Sequence, residues 1–253
     1  MDEDLAARLA AVRDRIAGAC AAAGRDPGEV RLLLAVKTQP VSAILAALDA
    51  GADLLGHNRA QELVATGPAL AAPGVPRHEM HFIGRLQTNK VNQVLRWATC
   101  VETVDSARLA ERLDRAVAAG TGAGESPPGP LDVLVQVNTS GEATKAGVDP
   151  RGAAGLAAVV AALPHLRLGG FMTVGARSTD PDVVRRSFDL LAEVRAEVLA
   201  SGEPGTAGAT ALSMGMSGDL EAAVAAGATI VRVGTAVFGE RATVLGERAQ
   251  GTR

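Results

Sequence analysis

The feature that most constrains this sequence is a regular alternation between short apolar runs and longer segments of helical periodicity. Eight apolar runs can be counted, covering residues 31–36, 53–56, 80–83, 99–103, 131–137, 166–172, 210–213 and 229–233. Near-continuous apolar strands separated by helices are typical of parallel strands covered on both faces. Eight such units in 253 residues match the size and count of a closed barrel. We therefore predict one α/β domain over residues 1–253, a (β/α)8 TIM barrel.

An open, doubly wound sheet is the alternative arrangement of the same units. A dinucleotide-binding sheet would place GxGxxG after its first strand, and no such sequence follows residues 31–36. Apolar residues at helical spacing predict an extra helix before the first strand. They are Leu5, Leu9, Val12 and Ile16. The Gly- and Pro-rich segment 120–130 predicts a loop on the barrel face away from the expected site.

Charge and hydropathy exclude two classes of partner. The formal net charge of -3 leaves no basic excess for a phosphate backbone, so we expect no nucleic-acid partner. No apolar run reaches the roughly 18 residues that a membrane-spanning helix needs. The N-terminal residues 1–4 are acidic where a signal peptide would be basic, so we expect no membrane partner and a cytoplasmic location. Cys20 and Cys100 lack CxxC spacing, and we expect both to be reduced core residues.

Lysine is almost absent, which makes its few positions informative. The 25 basic residues include only three lysines, Lys37, Lys90 and Lys145. Arginine can often replace lysine as a charge, but a guanidinium cannot serve as an amine nucleophile. Lys37 follows the first apolar run, at the strand end where barrels carry their functional groups. The alternation of side chains along the strand points Lys37 inward, beside apolar surface. Such a surface would favour the neutral amine, which can form an imine. A solvated rim lysine or an ion-pair partner is the alternative.

Two loops predicted at the same rim have the composition of an anion site. Residues 213–218 offer hydroxyls and unobstructed backbone N–H groups, and Gly234 and Thr235 open a helix whose positive end favours an anion. Barrels commonly bind phosphate after their seventh and eighth strands, where these loops fall. The alternative for Ser217 and Thr235 is helix capping. Two amides, Asn58 and Asn138, also fall at predicted strand ends.

Five segments together resemble the YggS/PROSC family of pyridoxal phosphate homeostasis proteins, which share the barrel of alanine racemase but lack its second domain. They read AVKT (35–38), HFIGRLQTNK (81–90), VN (137–138) with KAG (145–147), LSMGMSGD (212–219) and VRVGTAVFG (231–239). The resemblance covers nearly the whole chain. It implies a monomeric protein that holds pyridoxal 5'-phosphate (PLP) as a Schiff base and buffers or delivers it to PLP-dependent apoenzymes, without catalytic turnover.

The resemblance also implies roles for individual residues. Lys37 would form the Schiff base, and the phosphate would be held by Ser217, Gly234 and Thr235. The pocket would be lined by Asn58 and Met214.

Arg232 is implied to face the pyridine nitrogen, where a permanent cation keeps that nitrogen unprotonated. Alternation points its side chain into the barrel, where Asp53 or Glu102 could instead pair with it.

One segment departs from the family: GHNR (56–59) stands where the family usually reads Gly-Glu-Asn-Tyr. We expect His57 to be a neutral bystander, and His81 to be packed and hydrogen-bonded.

Two enzymes compete with the carrier hypothesis. A PLP-dependent amino-acid racemase of the alanine racemase type would use the same barrel, Lys37 and Arg232. Its two-base chemistry needs a second acid/base, which in alanine racemase is a Tyr from the missing domain, and this sequence contains no Tyr. We also expect no second domain to close over the site. A Schiff-base aldolase acting on a phosphorylated sugar would lack a coloured cofactor. Lys145, after the fifth strand, could capture PLP weakly in a protein whose Lys37 is replaced by Ala.

Overall fold

The computed structural model describes residues 2–121, 129–142 and 144–239, and within them eight parallel strands close into one barrel in chain order. The strands are β1 (Arg31–Ala35), β2 (Leu54–His57), β3 (Glu79–Phe82), β4 (Cys100–Val104), β5 (Leu131–Gln136), β6 (Leu166–Met172), β7 (Ala211–Ser213) and β8 (Ile230–Val233). Pairing of β1 with β8, in which Leu34 lies opposite Val233, closes the ring. The predicted barrel is confirmed, and each strand begins and ends close to its apolar run.

Helices cover the outside of this barrel. They are α1 (Asp2–Ala22), α2 (Val41–Asp49), α3 (Ala60–Leu70), α4 (Val91–Val94), α5 (Ala107–Ala118), α6 (Pro150–Ala161), α7 (Pro181–Ala200), α8 (Leu220–Ala225) and α9 (Thr235–Phe238). Local chemistry explains several starts: Asp149 and Asp180 cap α6 and α7 in front of a proline, and Ser106 caps α5. The predicted N-terminal helix is confirmed as α1, and its four apolar positions are buried.

The main core lies between the strands and the helices. Outward-facing strand residues such as Leu34, Val101 and Val231 belong to it. The barrel interior is different, because its apolar residues form two separate small clusters, one around Leu33 and one around Leu134. Barrel interiors are normally filled by layers of branched apolar side chains. Polar side chains therefore occupy part of this interior.

Cys20 and Cys100 are both buried and unpaired, as expected. The predicted loop 120–130 lies largely outside the described residues. In the part of the chain that the structure describes, no helix combines the length and apolarity needed to cross a bilayer.

Candidate functional site

Lys37 lies at the carboxyl end of β1, as the sequence predicts. Its neighbour Val36 is buried in the core between barrel and helices, while Lys37 itself is exposed. The expectation of an amine desolvated by apolar surface is therefore wrong for this structure. The chain turns sharply just afterwards, since Thr38 has a positive φ of 61° and its hydroxyl donates to the carbonyl of Lys37. Lys37 is thus an accessible amine on a tightly turned loop.

The loop after β8 lies directly beside the end of β1. A Cβ on Gly234 would lie 3.0 Å from the carbonyl oxygen of Ala35, so a side chain there would press on the strand that leads to Lys37. Thr235 begins α9 and is exposed, and its hydroxyl makes no capping hydrogen bond. The capping alternative for Thr235 is wrong. Within the described residues, the amides of Thr235 and Ala236 donate to no backbone acceptor, as expected for a first helical turn.

The loop after β7 contributes a second set of free groups. Ser217 is half-buried and makes no cap for α8, whose first turn is preceded by Asp219. Capping is therefore also wrong for Ser217. Asp219 instead accepts from the amide of Met216, which closes the loop on itself. From outside, the Arg15 guanidinium on α1 donates to the carbonyl of Ser217 at 3.2 Å and pairs with Glu221 at 2.8 Å.

Met214 does not line an open pocket with its side chain. It is fully buried in the core between barrel and helices, so that expectation is corrected. The strand period explains this: Ser213 points inward, and the next side chain must point outward.

Asn58 follows β2 and is half-buried, and its Oδ1 atom is buried without a partner among the described residues. The backbone of Asn58 approaches Gly84 so closely that a Cβ there would lie 1.8 Å from its carbonyl oxygen. Asn138, in contrast, uses its side chain to close its own loop, donating to the carbonyls of Glu142 and Lys145. Asn58 therefore has an acceptor near the rim that lacks a hydrogen bond and is closed off from solvent.

Arg232 points into the barrel as predicted and is only 5% exposed. Its two terminal nitrogens donate to the Ser213 hydroxyl at 2.9 Å and to the carbonyl of Thr173 at 2.7 Å. Of the two carboxylates considered as partners, Asp53 is exposed at the opposite end of the barrel. Glu102 is linked to Arg232 through Ser213, because the Ser213 hydroxyl donates to the Oε2 atom of Glu102 at 2.5 Å.

A chain of polar contacts continues behind Glu102. Its Oε1 atom lies 2.6 Å from Nδ1 of His81, and Nε2 of His81 lies 3.3 Å from Glu79, which pairs with Arg31 on the outer surface. Burial alone would lower the pKa of His81, but its hydrogen bonds to Glu102 and Glu79 outweigh this and raise its pKa to about 9. Burial likewise opposes ionisation of Glu102, yet His81, Arg232 and Ser213 together lower its pKa. His81 is thus an imidazolium paired with a buried carboxylate, and the expectation that it is packed and hydrogen-bonded is confirmed.

His57 is a separate case. It is buried, burial lowers its pKa to about 4, and its Nε2 lies 2.9 Å from the hydroxyl of Thr66. Because that hydroxyl donates to the carbonyl of Glu62, it accepts from His57, which fixes the Nε2–H form. His57 is therefore a neutral packing residue at pH 7, in agreement with the expectation.

A cleft of about 730 Å³ lies beside the rim at this end of the barrel, and its lining does not include Lys37. Its lining includes Lys145, Val174, Met216 and Gly218. The Lys145 amine already has two partners: it donates to the carbonyl of Gly175 at 3.0 Å and forms an ion pair with Glu142 at 2.8 Å.

Sequence reasoning missed the roles of Ser213, Thr173 and Arg15. The sequence predicts Ser213 as part of the anion loop, whereas its hydroxyl is shared between Glu102 and Arg232. The available signal was the presence of polar residues at inward positions of apolar strands. Arg15 gave no signal, because its partners are more than 200 positions away.

The lysine-bearing barrel is of the type found at the N-terminus of alanine racemase: the family model "Alanine racemase, N-terminal domain" matches residues 8–242. The chain belongs to the family of pyridoxal phosphate homeostasis proteins. It is 42% identical over 238 residues to the Escherichia coli (strain K12) pyridoxal phosphate homeostasis protein, covering 94% of this chain and 97% of that one.

Two solved structures complete the comparison. PipY of Synechococcus elongatus PCC7942, solved with PLP bound, is 31% identical with a TM-score of 0.77, over 93% of this chain and 100% of that one. Alanine racemase from Corynebacterium glutamicum is 16% identical with a TM-score of 0.66, over 98% of this chain and 64% of that one. The second likeness concerns the fold alone.

The rim has the donors and acceptors that a phosphorylated aldehyde would require. Lys37 is an exposed amine, the loops after β7 and β8 present amides and hydroxyls, and Asn58 has an unpartnered oxygen. Gly234 leaves space where a Cβ would press on β1. In these residues the site fits PLP.

Proposed function

We propose that this protein binds PLP as a Schiff base on Lys37 and acts in PLP homeostasis, buffering the cofactor or delivering it to apoenzymes. The observation that carries the proposal is the contact between Gly234 and Ala35, because it joins the amine-bearing strand end to an amide-rich loop. The aldehyde of PLP condenses with a lysine amine, and its phosphate accepts several hydrogen bonds.

Each end of the cofactor has its own group of residues in this proposal. Ser217, Gly234 and Thr235 hold the phosphate with hydroxyls and backbone amides, and no cluster of arginines is required. Helix α9 has only four residues, so its contribution is the free amides of its first turn and little macrodipole. Arg232 faces the pyridine nitrogen, and Asn58 contributes its unpartnered oxygen to the pocket wall.

Borohydride reduction followed by peptide mapping tests the covalent site. The protein as purified should absorb visible light, and after reduction the pyridoxyl group should be found on Lys37. Recovery of the label mainly on Lys90 or Lys145 would contradict the assignment, although Lys145 should capture some cofactor in a Lys37→Ala variant. Pyridoxal, which lacks the phosphate, should bind far more weakly than PLP and provides the matched ligand control.

The second candidate function is an amino-acid racemase, and the fold shared with alanine racemase is the observation that favours it. We favour the carrier because a positioned acid/base typically contributes about 10²- to 10⁴-fold to a rate, and this sequence has no Tyr to act opposite the lysine. A colourless protein would instead suggest the Schiff-base aldolase.

One assay separates carrier from racemase. Holoprotein is incubated with L- and D-alanine in deuterated water, and exchange of the α-proton is followed while transfer of PLP to an apoenzyme is measured in parallel. Restored apoenzyme activity with negligible exchange supports the carrier. Rapid exchange that depends on Lys37 would reject it.

The wider setting follows from the same proposal. We propose that residues 1–253 act as one barrel domain, as a monomer in the cytoplasm, with PLP and PLP-dependent apoenzymes as partners. Size-exclusion chromatography with light scattering would test the monomer.

A further inference from the structure

The barrel interior contains a polar cluster formed by Arg232, which the proposed site uses, and by three residues that it does not use, His81, Glu102 and Ser213. Each belongs to a different strand, and all four are at most 5% exposed. The cluster lies among inward-facing residues whose apolar members form two separate groups. Burying charges is costly unless each is paired and hydrogen-bonded, so a cluster of this kind in place of an apolar layer calls for a function.

The direction of each hydrogen bond in the cluster can be worked out. Arginine only donates, so the Ser213 oxygen accepts from Arg232. The ionised carboxylate of Glu102 only accepts, so the single hydroxyl proton of Ser213 points to Glu102. Ser213 therefore has no proton left for a phosphate, although it begins the loop that we assign to phosphate binding. Its role is to connect the carboxylate to the guanidinium.

The guanidinium is held from two sides. Ser213 on β7 accepts from one terminal nitrogen, and the carbonyl of Thr173, just after β6, accepts from the other. The Thr173 hydroxyl in turn lies 2.9 Å from that of Thr139. An arginine side chain normally has considerable rotamer freedom, which is lost when it is ordered. Here two protein acceptors restrict that freedom without any contribution from a ligand.

We propose that Ser213 and Glu102 are positioning residues for Arg232, which fix its guanidinium inside the barrel before PLP arrives. This inference rests on the proposed function, in which Arg232 faces the pyridine nitrogen. A cation already held in place requires no reorganisation when the ligand binds, and such preorganisation strengthens electrostatic interactions in a site that excludes water. His81 completes the arrangement by keeping Glu102 ionised.

The charged and titratable groups around Glu102 determine how the test must be run. They are His81 and Glu79 on β3, Arg232 on β8 and Cys100 on its own strand. The first of them to titrate above neutrality is His81, with a pKa of about 9. Spectra are therefore compared at pH values below this.

The test uses Ser213→Ala, which removes the link and leaves every charge in place. In the wild type, the visible absorption band of bound PLP should be independent of pH below the pKa of His81. In Ser213→Ala, the guanidinium keeps only its contact with Thr173, so the pyridine nitrogen should take up a proton more readily and the band should shift as the pH falls. PLP affinity should fall by roughly 10-fold, the lower end for losing one hydrogen bond to a charged group.

Ser187→Ala is the matched control, because Ser187 on α7 is also buried and hydrogen-bonded, but its hydroxyl bonds the backbone of Ala176 and Val184 and not Arg232. It should cost stability without changing the pH profile of the band. A folded Ser213→Ala protein with wild-type affinity and a pH-independent band would overturn the inference. If the wild type itself carries no borohydride-trapped PLP on Lys37, the proposed function fails instead.

A measurement on the wild type keeps the test independent of the folding of any variant. In ligand-free protein, arginine side-chain ¹⁵N NMR should show separate, slowly exchanging signals for the terminal nitrogens of Arg232, assigned by through-bond correlation to its own backbone resonances. Averaged signals would mean a mobile guanidinium and would refute the positioning role.

Discussion

Replacing His81 with Gln should remove most of the pH dependence of stability just above neutrality. In the folded protein the pKa of His81 is raised to about 9, against an ordinary value of 6.5. A histidine whose pKa is raised by folding stabilises the folded protein, and this stabilisation is fully present at pH values below the pKa of the same histidine in the unfolded chain. This contribution is then lost as the pH rises towards and through about 9.

The magnitude follows from the difference between these two values. At roughly 1.36 kcal/mol per pH unit, that difference corresponds to an effect of the order of 3 kcal/mol when fully developed. Between pH 6.5 and about 9 the folded protein binds one proton more than the unfolded chain. The free energy of unfolding should therefore fall by up to about 1.4 kcal/mol per pH unit. Burial also raises the pKa of the Cys100 thiol above its ordinary 9.0, so Cys100 contributes only at higher pH.

Urea denaturation at several pH values between 6.5 and 8.5 measures this slope. The wild type should lose stability across the range, whereas His81→Gln should be less stable at the lower end and nearly flat. His165→Gln is the control, because that imidazole lies beside Asp114 but is 44% exposed, and it should retain the wild-type slope. A wild-type profile that is flat or rises with pH, or a His81→Gln profile parallel to it, would refute the reasoning. An NMR titration of the His81 ring checks the pKa directly.

Three further predictions concern the rim and its supports. Thr235→Val removes a hydroxyl from the proposed phosphate site and should weaken PLP binding by roughly 10- to 150-fold in a fluorescence titration, and unchanged affinity would place the phosphate elsewhere. Arg15→Ala frees the carbonyl of Ser217 and should lower PLP affinity. It should change the free energy of unfolding by no more than about 1 kcal/mol, because the Arg15 side chain is 39% exposed. The pKa of His57 is lowered to about 4, so the unfolded chain binds its proton first and stability should fall as the pH drops from 6.5 towards 4. His57→Gln should lessen this acid-side loss, and an equal loss in both proteins would contradict it.

The sequence by itself determined the architecture. Alternation of apolar runs with helical periodicity is a local pattern, repeated eight times, and the period of two along each strand decides which side chains face the barrel. Those rules were enough to predict the closed barrel, the N-terminal helix, the rim position of Lys37 and the inward direction of Arg232. The rarity of lysine is a property of the composition alone, and it was enough to indicate Lys37 as a candidate amine.

Only the tertiary structure decided what each polar group does. Ser213 and Glu102 are 111 positions apart, and no local pattern could show that one hydroxyl connects that carboxylate to Arg232. For the same reason the sequence could not tell that Lys37 is exposed rather than desolvated. Backbone periodicity is set by neighbours along the chain, whereas burial, hydrogen-bond direction and charge pairing depend on strands that meet only when the barrel closes.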